Sequence, residues 1–196
     1  MVHGAKNKMK MLKNRKALST VVTTLIILVV SVLLASVVTF YAINVTTTRV
    51  QEEALFLTKP HLWVKNSTHY QGAILIINTG GRDVVIDKVT VRGQTVEWDD
   101  VYYITFRGGI SEDLKYIDKL ENNANTTLKG PDGEWLLLRT VSNKQDLTLK
   151  SGYSMILYMD KPDSLSLNDI GLTIGITVFT SNAQYYKETN VEAVTD

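Results

Sequence analysis

The chain has 196 residues, with 21 Lys and Arg against 20 Asp and Glu, and no cysteine. That length suits one ordinary domain plus an appendage, and the missing cysteine excludes disulfides, thiolate nucleophiles and Cys-ligated metals. Near-neutrality hides an asymmetry: six basic residues and no acidic one precede Leu18, leaving 15 basic against 20 acidic in the rest. A mildly acidic body argues against nucleic acid as a partner, because such binding wants basic residues on the folded domain.

After Lys16 no charge of either sign occurs until Arg49. Residues 17–43 are apolar apart from Ser19, Thr20, Thr23, Thr24, Ser31, Ser36 and Thr39. As a helix this run is about 40 Å long, more than the roughly 30 Å of a bilayer's hydrocarbon. It is too long for the apolar region of an ordinary cleaved signal peptide. The Lys/Arg cluster before it places the N-terminus in the cytoplasm and the C-terminal domain outside. The β-branched residues in the run would weaken a helix in water, but in hydrocarbon the backbone must satisfy itself internally. Val50, Ala54 and Leu57 recur at helical spacing, so the helix is expected to continue to about residue 57, with Pro60 as its stop.

The stretch RKALSTVV resembles the processing site of archaeal class III signal peptides, the prepilin-type leaders of type IV pilins and archaellins. By that resemblance Lys16 and Ala17 end a short basic leader (residues 1–17), and Leu18 is the first residue of the mature chain. Cleavage before the apolar run keeps the helix, which first anchors the precursor in the membrane and then packs into a filament core. Bacterial type IV pilins carry a Glu at the fifth mature position, here Val22, and the Gly-Ile-Glu pattern of archaellins is also missing. The better match is an archaeal adhesive-type pilus. Small residues on the helix, Ser31, Ala35 and Ser36 among them, offer surfaces for close approach of other helices. A lone signal anchor has a simpler use for its Ser and Thr, whose hydroxyls would bond carbonyls one turn back.

The remainder, residues 58–196, reads as mostly β. GAILIIN (72–78) is a compact apolar strand closed by the turn NTGG, and residues 83–93 alternate, with Val85, Val89 and Val91 as the expected apolar face. A strand–Gly-rich turn–strand of this kind is common in archaeal pilin β-domains, which the pair resembles. Residues 95–106 are expected to be a strand bent at Asp99-Asp100. Ile110, Leu114, Ile117 and Leu120 then recur at helical spacing behind Ser111, which predicts a short inserted helix over residues 111–122. A polar loop over 122–133 follows, then strands at 134–140, 146–149, 153–159 and 172–178, and a last edge strand within 183–194. About eight short strands with turn signals predict a sandwich. The expected fold is thus a long N-terminal hydrophobic helix followed by an Ig-like, pilin-like β-sandwich.

No Gly-rich phosphate loop, His-Glu-x-x-His or nucleophile elbow occurs, so no enzymatic function, metal or cofactor is expected. His61 and His69 have no ligand spacing around them. Asp99, Asp100, Glu112, Asp113 and Asp118 lack calcium-loop spacing and read as a solvated acidic face. Adjacent tyrosines, Tyr102-Tyr103 and Tyr185-Tyr186, should point to opposite faces of their strands. Three Asn-x-Ser/Thr triplets begin at Asn44, Asn66 and Asn125. Asn125 has the most loop-like context for N-glycosylation, and Asn44 would be crowded in a filament.

The leading expectation is a pilin that polymerises with itself through its helix and displays its β-domain on a cell-surface filament. The resemblance implies a prepilin peptidase, a platform protein and an assembly ATPase as partners, with the membrane as host before assembly. Two alternatives stand beside it: a minor pilin or pseudopilin that primes an assembly machine, and a monomeric membrane-anchored binding protein on the cell exterior.

Overall fold

The computed structural model describes residues 3–50, 52–141 and 147–194. It divides into two units, Met1–Arg49 and Val50–Asp196. The first is a single helix, α1 (His3–Val50). No Gly or Pro lies between Gly4 and Pro60, so nothing interrupts it. It ends by Val50 rather than near residue 57. Glu52 and Glu53 would place negative charge on the negative end of the helix dipole. Leu55 and Leu57 instead alternate into the core of the next unit as the start of a strand. Pro60 lies inside that strand, between Thr58 and His61 where its register shifts, and Lys59 there has φ 50°. A bulge is where a strand tolerates proline.

The second unit is a β-sandwich with an added hairpin, and its described residues form twelve strands. They are β1 (Leu55–Asn66), β2 (His69–Asn78), β3 (Val84–Val91), β4 (Gln94–Thr95), β5 (Val101–Arg107) and β6 (Asn125–Lys129). After these come β7 (Trp135–Leu137), β8 (Arg139–Thr140), β9 (Leu147–Leu149), β10 (Tyr153–Asp160), β11 (Thr173–Thr180) and β12 (Gln184–Ala193). β1-β2-β10-β5 form one sheet and β12-β11-β3 the other. Those are the positions of A-B-E-D and G-F-C in an immunoglobulin-type sandwich. β1 also runs parallel to β12, with Leu62 opposite Val191, so the strands join into one curled sheet. The expected last edge strand, β12, is therefore an interior one, flanked by β11 and β1.

Two apolar layers follow from side-chain alternation. Ile74 and Ile76 of β2 and Met155, Leu157 and Met159 of β10 face the space between the sheets, meeting Val84, Ile86, Val89, Ile174, Ile176 and Val178. Ala73 and Leu75 of β2 and Ile156 and Tyr158 of β10 face the other way, into a second core. This is why GAILIIN is a continuous apolar run: both of its faces are covered. On β3 the buried apolar residues are Val84, Ile86, Val89 and Val91, while Val85 is half-buried. The register against β11 shifts where Thr180 pairs with Ile86 and Phe179 with Lys88, which leaves Asp87 as the extra residue of a bulge. One extra residue inverts the alternation, so the expected apolar face holds only at Val89 and Val91.

The second core is closed by residues 108–141, which lie over the outer face of the β2-β10-β5 sheet. Leu114, Leu120, Leu128, Leu136 and Leu138 are buried there against the sheet. The predicted helix over 111–122 does not form; that stretch contains only turns and bends. Its apolar residues do face the core, but its backbone groups are claimed from the sheet. The buried side chain of Gln71 donates to the Ile117 carbonyl (3.0 Å) and accepts from the Ile117 amide (2.9 Å). Lys59 Nζ donates to the carbonyls of Ile110, Ser111 and Glu112, and Tyr158 Oη to that of Lys115. A stretch so bonded has no need of i→i−4 bonds. The polar loop expected over 122–133 holds strand β6, paired with β7 in a hairpin.

Candidate functional site

Two regions could carry function: the apolar helix, and a cleft on the sandwich. Within α1, Leu18–Thr47 is a 30-residue apolar stretch long enough to cross a membrane, and none of it is buried in the protein. Its large side chains are open throughout; Leu18 is 68% exposed and Phe40 71%. Lys16, Ala17 and Leu18 all lie inside the helix.

The helix satisfies its own hydroxyls. Ser31 Oγ donates to the Ile27 carbonyl (2.7 Å), Ser36 Oγ to Val32 (2.8 Å), Thr39 Oγ1 to Ala35 (2.8 Å) and Thr47 Oγ1 to Ile43 (2.8 Å). Thr23 and Thr24 bond the carbonyls of Ser19 and Val21 in the same manner. No hydroxyl among these requires water, which suits either hydrocarbon or a packed neighbour. At about 100° per residue, Thr24, Ser31, Ala35 and Ala42 fall within an arc of roughly 40°. Val22 and Ser36 lie on a different face. Ser31 and Ala35 are thus brought together in one stripe of small side chains, and the other two predicted residues are not part of it.

On the sandwich, Asn66 is the exposed last residue of β1, just before the turn to β2. Its Oδ1 accepts from the Thr68 amide (3.0 Å) and hydroxyl (2.9 Å). Asn125 is exposed but begins strand β6 rather than occupying a loop. Asn44 lies in α1, where its Nδ2 donates to the Phe40 carbonyl (3.0 Å). His61 lies between two carboxylates, with Nε2 3.0 Å from Asp113 and Nδ1 3.4 Å from Glu192, and it stacks on Trp63. Asp118 pairs with Lys65 at 2.9 Å. Asp113 and Asp118 are thus taken up in separate ion pairs, and no metal-binding group of three occurs among the described residues. Burial, together with nearby Asp160 and Asp99, raises the pKa of Asp100 above the usual carboxylate range. Tyr186 points outward and Tyr185 packs on the inter-sheet core; Tyr103 joins that core, while its neighbour Tyr102 joins the second one.

Sequence reading missed the cleft. It has a volume of about 310 Å³ and opens between the end of β5 and the β6–β7 hairpin. Thr105, Asn123, Asp132, Glu134, Trp135 and Arg139 line it. β8 pairs with β5 only at Tyr102 and Tyr103. Preceding it, the chain leaves that edge: Leu138 donates to the Ala124 carbonyl, and Asn123 to that of Leu138. The gap left along β5 is the cleft. Its one sequence signal was a tryptophan two residues after the Gly130-Pro131-Asp132-Gly133 turn.

No protein-family model matches the chain, and no curated protein matches it. Among solved structures it is similar to a copper-bound PCuAC domain from PmoF2, at 15% identity and a TM-score of 0.32, covering 74% of this chain and 100% of that one. It is also similar to a β-glucosidase, EmGH1, from Erythrobacter marinus (11% identity, TM-score 0.26, 71% of this chain). A family 123 glycoside hydrolase from Clostridium perfringens is a third (10% identity, TM-score 0.31, 73% of this chain). The chain spans 15% and 27% of the lengths of those two hydrolases. Likeness this low carries no functional argument.

Proposed function

We propose that this chain is a structural subunit of an archaeal type IV pilus-like surface filament, assembled through α1, with the sandwich as its outer surface. The observation that carries the reading is the combination in one helix of Lys16-Ala17-Leu18 and an apolar run that nothing in the protein covers. A helix so apolar must be covered by lipid, by other helices, or by each in turn. Cleavage before the run, rather than after it, is what lets one helix serve as anchor and then as filament core. The stripe from Thr24 to Ala42 supports the second role, since small side chains let helix backbones approach closely. The self-satisfied hydroxyls support membrane residence equally, and so fit the precursor.

In this reading the precursor sits in the cytoplasmic membrane with its N-terminus inside. A prepilin peptidase removes residues 1–17, and a platform protein and ATPase extrude the subunit. The work is polymerisation and display, including adhesion, and no catalytic step is assigned. Asn125 and Asn66, both exposed on the sandwich, are the leading candidates for glycosylation. N-terminal sequencing of the native protein tests the reading. It should begin at Leu18, in material recovered from sheared surface fibres. A start at Met1 with no fibre fraction leaves the monomeric anchored protein.

A further inference from the structure

We propose that the cleft beside Trp135 binds a neutral saccharide. Its volume of about 310 Å³ is at the lower end of the range for small-ligand sites, which suits one or two sugar rings. Trp135 is 53% exposed, with the Lys129 ammonium 5.0 Å from its ring centroid. The ammonium lies over one face of the ring, and the aromatic surface that remains exposed on the cleft wall attracts the weakly positive C–H groups of a pyranose ring.

The polar groups around it narrow the ligand further. Among the described residues, the side chains of Asn123, Asp132, Glu134 and Arg139 have no hydrogen-bond or ion-pair partner, so their capacity is available to a ligand. Arg139 offers only donors, the two carboxylates only acceptors, and Asn123 both. Sugar hydroxyls donate and accept, so they match this mixture. With Lys129 beside Trp135, the cleft sets two cations against two carboxylates, so it has no net charge to draw in a phosphate, and its mixed donors and acceptors suit an uncharged polyol. The proposal stands apart from the filament reading, because a monomeric anchored protein with this cleft would bind the same class of ligand.

The test uses the full chain in a zwitterionic detergent, since sugar-headed detergents would themselves compete. Cellobiose, chitobiose, mannobiose and lactose are titrated by calorimetry and by saturation-transfer NMR. At least one should bind saturably. Trp135→Ala should weaken it by about tenfold or more, a step of roughly 1.4 kcal/mol. Trp135→Phe, which keeps an aromatic face, should retain measurable binding. Tyr186→Ala, which removes an equally exposed aromatic on β12, should bind as the parent does. Circular dichroism of each variant confirms that it is folded. Failure of all four sugars to bind overturns the proposal, as does binding that survives Trp135→Ala unchanged. So does capture of an extended peptide along the bare edge of β5 in place of sugar.

Discussion

His61 and Asp113 are 52 positions apart in the chain, and His61 Nε2 lies 3.0 Å from Asp113 Oδ1. This contact joins strand β1 to the segment that covers the second core. Partial burial of Asp113 opposes its ionisation, but it is outweighed. The His61 hydrogen bond, the Leu114 amide and the nearby Lys59 charge hold the carboxyl below the usual carboxylate range. A depressed carboxylate pKa stabilises the fold above the unfolded value, about 3.9, and that contribution disappears as pH falls through the folded value. Asp113→Asn should therefore lower Tm most above about pH 4, and the gap to the parent should close below it. Melting curves from pH 2 to 7 check this; a gap that stays constant across the range would mean the charge contributes nothing.

Gly80 is a position where only glycine fits. A Cβ there would lie 2.6 Å from the Glu52 carbonyl oxygen and 2.7 Å from the Ala54 nitrogen, both backbone atoms. The Thr79 and Gly80 amides bond the Ala54 carbonyl, and Gly81 bonds that of Glu52, so the NTGG turn grips the residues that open the domain. Gly80→Ala should cost about 1–3 kcal/mol, the usual cost of forcing atoms into filled space. Gly109, whose added Cβ meets nothing within 4 Å, is the control. Urea unfolding of the two variants should separate them clearly, and equal stabilities would count against the grip.

Much of this architecture was legible in the sequence because burial has a period. The alternation of Ile174, Ile176 and Val178 and the unbroken run of GAILIIN each correspond to a strand with those residues largely buried, although Leu172 falls outside β11 and is exposed, and the bend at Asp99-Asp100 is a 3-10 turn at Trp98–Asp100. What was not legible depended on partners remote in sequence. The spacing of Leu114, Ile117 and Leu120 suits a helix, yet Gln71 and Lys59 satisfy the backbone of that stretch from strands about 50 positions away. The bulge at Asp87 is invisible until β11 is set beside β3. The cleft exists because the chain reaches the edge of β5 only at Arg139, the residues before it bonding elsewhere, and no local pattern announces such a late arrival. The small-residue stripe on α1 was only half visible, since Ser36 reads as equivalent to Ser31 until angles around the helix are compared.

The true start of the sandwich yields a prediction about truncation. Thr180 Oγ1 donates to Glu53 Oε1 (2.5 Å), Asn182 Nδ2 to Glu53 Oε2 (3.0 Å), and Leu55 and Leu57 are buried in the inter-sheet core. A chain starting at Glu52 should be soluble, β-rich and cooperatively folded. One starting at Lys59 loses two buried leucines, each worth about 2–3 kcal/mol, together with the Glu53 contacts, and should be markedly less stable or unfolded. Circular dichroism and thermal melts of the two decide the matter. Equal stability would show that the first four residues of β1 are dispensable.

The helix as an assembly surface is best tested by shape rather than charge. A charge in the run could block membrane insertion before assembly was ever reached. Ala35→Leu and Ser31→Leu raise hydrophobicity, so insertion and removal of residues 1–17 should proceed normally. Each fills the stripe shared with Thr24 and Ala42, where a neighbouring helix would need close approach. Overfilling a packed contact costs about 1–3 kcal/mol per site. Repeated at every subunit of a polymer, that is enough to stop elongation. The filament reading predicts processed subunit accumulating in the membrane fraction, with the sheared-fibre fraction falling severalfold or vanishing. Ser36→Leu, on another face, adds the same bulk outside the stripe and should be the milder change. A monomeric anchored protein predicts no difference among the three variants beyond slightly firmer membrane retention. Quantifying processed subunit in both fractions distinguishes these outcomes, and abundant processing of the parent with no fibre fraction would end the major-pilin reading.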